Sequence, residues 1–155
     1  MPRTIEGKLA KPRGRFAIVA ARFNAEIVDG LLAGALKALK RYRVPDSAID
    51  IVRVPGALEL PLVAQRLGAS KKYVAVICLG VVIQGDTDHY DYVCTGTTNG
   101  ITQAGLATGV PTIFGVLTCR KMKHARARSG GKPNNKGYEA ALAAIEMANL
   151  MRQTK

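Results

Sequence analysis

One stretch limits the fold more than any other. VAVICLGVVI, residues 74–83, is apolar without interruption, and QGDTDH follows it at 84–89. A strand buried on one face alternates apolar and polar residues. A run with no alternation reads as a strand covered on both faces. About ten residues is too short to cross a bilayer. Such a strand belongs to the middle of a parallel sheet, and the polar cluster after it lies at the sheet's carboxyl edge. In open α/β sheets, ligands bind at that edge.

The rest of the chain supplies neighbours for this strand. RFAIVAARF (15–23) reads as a strand, and 26–41 carries apolar residues at helical spacing. IDIVRV (49–54) is a short strand stopped by Pro55-Gly56. Residues 57–68 suit a helix that tolerates Pro61 only in its first turn. The strand at 73–83 is followed by a helix over 88–108, a strand over 111–118, and helices over about 120–129 and about 136–152. Gly96, Gly100 and Gly105 each weaken the 88–108 helix by roughly 1 kcal/mol relative to Ala, so their spacing points to close packing. This alternation predicts a three-layer α/β fold: a four-stranded parallel, flavodoxin-like sheet with helices on both faces. The 155 residues form one domain, 15–155, with 1–14 as an N-terminal extension.

Charge and cysteine narrow the partners. The net charge is +12, and no acid occurs from 92 to 138. Residues 120–136 hold seven Lys or Arg, a field that attracts polyanions or anionic substrates. Arg120, Lys121 and Lys123 are expected in the first turn of a helix. Cys78, Cys94 and Cys119 show no CxxC spacing and read as reduced thiols in a cytoplasmic protein, with no metal site expected. MPRTIEGKLAKPRGR has no apolar segment and reads as something other than a secretory signal. No GxGxxG or GxxxxGK[ST] motif is present, so dinucleotide and Walker-type sites are unsupported.

Four strand ends meet the predicted edge. Gly85-Asp86-Thr87 could offer main-chain N–H groups to an anion, or simply cap a helix. His89 is a candidate base, or a surface histidine. Phe23, directly after a strand, could stack on a flat ring or pack in the core. Glu59 could hold a hydroxylated ligand or serve the helix dipole. Arg128 could clamp a phosphate bidentately, though nothing local ranks it above Arg126.

These pieces occur together in one order: RFN at 22–24, VPGALELP at 54–61, GVVIQGDTDHYDYV at 80–93, FGVLT at 114–118, ARSG at 127–130, and NKGYEAALAAIEMANL at 135–150. From about Arg15 to Leu150 the chain closely resembles the lumazine synthase family of riboflavin biosynthesis. The resemblance implies condensation of 5-amino-6-ribitylaminouracil with 3,4-dihydroxy-2-butanone 4-phosphate, without metal or organic cofactor. It implies sites between neighbouring subunits of a pentamer, and in some members a sixty-subunit shell. Carried over, Phe23 stacks on the pyrimidine, and Ala57, Leu58 and Glu59 hold the same substrate. Val81, Val82 and Ile83 meet its ring edge. Asp86 and Thr87 bind the phosphate of the four-carbon substrate by their main-chain amides, and His89 transfers the proton. Phe114 and Arg128 come from the neighbour, with Lys136 close by. Two positions depart from the family pattern: Gln84, where Arg or Lys is common, and RKMKH at 120–124, where an acid-containing helix start is usual. The alternative is a cage or scaffold subunit whose basic face takes a polyanion or a designed partner.

Overall fold

The residues of the first strand divide between two cores. Phe16, Ile18 and Ala20 belong to one, and Ala17, Val19 and Ala21 to the other, all fully buried or nearly so. The computed structural model, which describes residues 1–131 and 134–155, shows why. Strand β1 (Arg15–Ala21) is central in a four-stranded parallel sheet of order β2-β1-β3-β4, with β2 at Ile49–Val54, β3 at Tyr73–Ile83 and β4 at Thr112–Cys119. Helices α1 (Ala25–Arg41) and α5 (Lys136–Gln153) cover one face. Helices α2 (Leu60–Ala69) and α3 (His89–Thr108) cover the other. With both faces dry, the sequence has no reason to alternate.

Helix packing depends on small residues. A side chain at Gly100 would place its Cβ 2.6 Å from Pro61, so the glycine lets α2 and α3 approach. Gly96 does the same against Leu58, at 2.9 Å. On the opposite face Gly137 lets α5 press onto the backbone of Leu31 in α1. Residues 1–14 hold no strand or helix. Asn149 of α5 donates to the main-chain oxygens of Lys8 (2.7 Å) and Ala10 (3.1 Å), and Gln153 donates to that of Glu6 (2.8 Å).

Several boundaries differ from those expected. The first strand ends at Ala21, because Arg22 and Phe23 turn away to bond the main-chain oxygens of Val54 and Pro55. Residues 57–59 form a 3₁₀ turn before α2. The basic helix, α4, is only Met122–Ala127. Lys121 is its extended N-cap and Arg120 precedes it, so Lys123 alone of the three expected cations lies in the first turn. Lys132, counted in the basic segment, and Pro133, in the loop before α5, lie outside the described residues. Among the described residues no helix is long and apolar enough to cross a membrane.

Candidate functional site

A cleft of about 390 Å³ opens at the carboxyl edge of the sheet, on the α2/α3 side. Each wall follows from a strand ending. After β1, Asn24 adopts φ 59° and ψ 56°, a left-handed conformation that asparagine accepts more readily than most residues. The bend leaves Phe23 70% exposed over the cleft, not in the core. After β2, Pro55-Gly56 leads into the 3₁₀ turn Ala57–Glu59. The end of β3 supplies Val81, Val82 and Ile83 as the floor. Helix α3 contributes His89 at its first residue and Val93 one turn later.

The structure thus gathers Phe23, Ala57, Leu58, Glu59, Val81, Val82, Ile83 and His89 in one place. Among the described residues no hydrogen bond or ion pair occupies the side chains of Glu59 or His89. Asp86 and Thr87 are exposed in the preceding turn, where the Thr87 hydroxyl accepts the His89 main-chain N–H at 3.3 Å. The residue capping α3 is Asp88, whose side chain makes no capping bond. Sequence reading missed Pro55, Gly56 and Val93. The i, i+4 spacing of His89 and Val93 on one helical face was the available signal for the last of these.

Among the described residues no Lys or Arg lines the cleft. The cations lie around the corner, on the α4/α5 side of the same edge. There a pocket of about 400 Å³ is lined by residues of β4 from Val116 onward, by Arg120 and His124, and by Arg128 and Lys136. The two sites adjoin through the strand ends. Ile83 pairs with Cys119, and the Gln84 N–H donates to the Cys119 oxygen at 2.9 Å. Arg128 curls back so that Nη1 donates to the His124 main-chain oxygen at 3.0 Å, and its own oxygen accepts the Lys136 N–H at 2.8 Å. Arg126 is different: its Nε reaches Glu26 Oε1 at 3.3 Å, away from the pocket. Phe114 is partly exposed in mid-strand on β4, outside both cavities.

The thiols are quiet. Burial pushes Cys78 up to about 12. Burial also raises Cys119, with the Arg128 charge pulling the other way. Among the described residues no group of three or more His, Cys, Asp or Glu side chains gathers to hold a metal ion.

A parallel sheet covered on both faces, with an aromatic, a carboxylate and an imidazole meeting where its strands end, is the frame of an α/β enzyme of small substrates. The family profile described as 6,7-dimethyl-8-ribityllumazine synthase matches residues 13–152. A protein of that description from Desulfotalea psychrophila (strain LSv54 / DSM 12343) is 55% identical over 151 residues, 97% of each chain. Another, from Desulfatibacillum aliphaticivorans, is 49% identical over 155 residues and the full length of both. The chain belongs to the 6,7-dimethyl-8-ribityllumazine synthase family.

Proposed function

We infer that this chain is a transferase of riboflavin biosynthesis. It condenses 5-amino-6-(D-ribitylamino)uracil with 3,4-dihydroxy-2-butanone 4-phosphate to 6,7-dimethyl-8-ribityllumazine and phosphate. Phe23 stacks on the pyrimidine. Ala57, Leu58 and Glu59 take its ribityl side, and Val81, Val82 and Ile83 its edge. Amine addition to the ketone, with loss of water, gives an imine; closure of the second ring on the ribitylamino nitrogen later expels another water. Loss of phosphate then needs a proton taken from carbon, which His89 accepts. It also needs charge neutralised on the leaving group, which Arg128 and Lys136 supply beside the Asp86-Thr87 turn. Holding two flexible substrates together lowers the barrier further. The enzyme is cytoplasmic, with residues 15–155 as its domain and 1–14 as an extension. Purified protein is expected to form the absorbing, fluorescent lumazine in the presence of chelator. Rates no higher than the uncatalysed background would overturn the assignment.

The observation that carries this reading is the separation of the two cavities. The cleft offers a base but, among the described residues, no cation to neutralise the charge of a phosphate ester. A cationic pocket on the other side of the edge supports a site shared with a second copy. We therefore read the working unit as a ring, a pentamer able to close into a shell, with Phe114, Arg128 and Lys136 of one subunit completing the cleft of the next. Subunit mixing tests this. His89→Gln and Arg128→Ala subunits, each inactive or slow, are co-expressed in equal amounts. Random assembly restores about one site in four if neighbours share sites. No recovery in mixed rings would make each site the property of one chain.

A second reading adds to the first. Arg120, Lys121, Lys123, Arg126 and Arg128 are all exposed, and only Arg126 among them is ion-paired within the described residues. Repeated in each subunit, this surface binds polyanions such as RNA through avidity, with affinity falling steeply as salt rises. Lys121→Glu with Lys123→Glu should weaken RNA binding and spare lumazine formation. RNA binding unchanged by both reversals would remove the surface from the account. A scaffold without catalysis is not favoured, since the chain's full-length relatives are named as synthases.

A further inference from the structure

We propose that Arg120 and His124 are additional phosphate-binding residues, so that this chain holds its phosphate substrate, and the phosphate it releases, with four side chains, adding to the Arg128 and Lys136 side chains and the Asp86-Thr87 main chain that the family resemblance supplies. The proposal rests on the reading above.

Among the described residues no acid lines the pocket at the end of β4. It gathers Arg120 from the strand end, His124 from α4, Arg128 from the end of that helix and Lys136 from the start of α5, around the hydroxyl-bearing Thr118. Three permanent cations in one cavity raise its potential, and an anion between them offsets their repulsion, while the imidazole adds a further hydrogen-bond donor. The protein supplies little of that anion. Lys136 Nζ has Glu139 Oε1 at 3.5 Å, with both side chains about half exposed. Arg128 spends one donor on the His124 main-chain oxygen. Arg120 and the His124 ring have no hydrogen bond or ion pair among the described residues.

Arg126 shows that this is not a property of basic surface in general. It lies on the same helix, is satisfied by Glu26, and takes no part in the pocket. Part of the pocket wall is buried: Cys119 there is 7% exposed, and the Arg128 charge is near enough to act on its thiol. A small dianion with several acceptor oxygens matches this donor set, because guanidinium and ammonium donors bind charged oxygens roughly twice as strongly as neutral pairs. The ester phosphate of the four-carbon substrate and free inorganic phosphate share that chemistry.

The test separates these two sources. Inorganic phosphate is titrated calorimetrically into the wild-type assembly, Arg120→Ala, His124→Gln, the double variant, and Arg126→Ala as a control. Steady-state kinetics are measured with each substrate varied in turn. Expected are a roughly tenfold loss of phosphate affinity in the double variant, about threefold in each single one, and none in Arg126→Ala. The KM for the butanone phosphate should rise by a similar factor, with kcat and the KM for the pyrimidine within twofold. Arg120→Lys should recover part of the loss. Phosphate affinity in the double variant equal to wild type overturns the proposal, as does an equal loss in Arg126→Ala. Should the wild type form no lumazine while phosphate binding still depends on Arg120 and His124, the reaction assignment falls and the anion pocket stands.

Discussion

At the amino-terminal end of the sheet, polar side chains satisfy one another. Arg15 of β1 donates to Asp50 of β2 at 3.0 Å and to the Ser47 oxygen at 2.7 Å, and the Tyr73 hydroxyl of β3 donates to the same carboxylate at 2.5 Å. At the carboxyl-terminal end, Glu59, His89 and Arg120 keep their side chains without a protein partner among the described residues. One end of the sheet fastens three strands. The other presents donors and acceptors to a ligand. Paired groups stabilise a fold, whereas unpaired ones in a cavity are kept for binding or chemistry. The contrast makes opposite forecasts for the two edges.

The largest expected effect is at His89. His89→Gln should slow lumazine formation by up to about 10²–10⁴-fold, with substrate binding retained and the thermal midpoint unchanged. Wild-type rates in this variant would return His89 to an ordinary surface residue and blunt the comparison. Next is Arg128. A positioned hydrogen bond to a charged group is worth roughly 1.5–3 kcal/mol, so Arg128→Ala should cut turnover about 10- to 100-fold. Arg126→Ala, which loses only an exposed ion pair with Glu26, should change turnover little. Equal losses in the two would mean that total charge, not position, matters at this edge.

The smallest effect is at the amino edge, and it concerns stability alone. The Tyr73 hydrogen bond, and then that of Arg15, hold the Asp50 carboxyl below its usual range, while the same bond raises Tyr73. A lowered carboxyl contributes stability that is present above its unfolded value, about 3.9, and lost as pH falls through the folded one. A raised phenol contributes stability that is present below its unfolded value, about 10, and lost as pH rises through the folded one. Tyr73→Phe should therefore lower the midpoint by on the order of a degree or two at neutral pH, with turnover unaffected. The gap should be flat between about pH 4 and 10 and narrow on either side. A change in turnover would show that the two edges are coupled.

The fold was legible because β1 and β3 have no polar face to disguise. Most of the cleft was legible too, since Phe23, Glu59 and His89 each stand just beyond a strand end. Of the two places open to Phe23, the core is ruled out by the left-handed turn at Asn24, which swings the ring outward and which the local sequence does not announce. Arg126 and Arg128 could not be separated locally. The difference lies in Glu26, 100 residues away in sequence and adjacent in space. The start of the basic helix was misplaced because three cations in the four residues 120–123 carry no capping signal; the chain stays extended through Lys121. That Arg128 and His89 lie on different sides of the edge depends on which face each helix covers, which no spacing reveals.

The sheet's connectivity also sets an order in time. Its pairs are all parallel, so none is a local hairpin, and β1 finds β3 only across a long loop of chain. A chain emerging from the ribosome has delivered every residue of the cleft once Val93 is out. The cationic pocket waits for Lys136, about 40 residues and roughly 2–8 s of synthesis later. The residues that receive the ring system are thus translated before Lys136, although the sheet that sets them as walls is complete only once β4 has paired with β3.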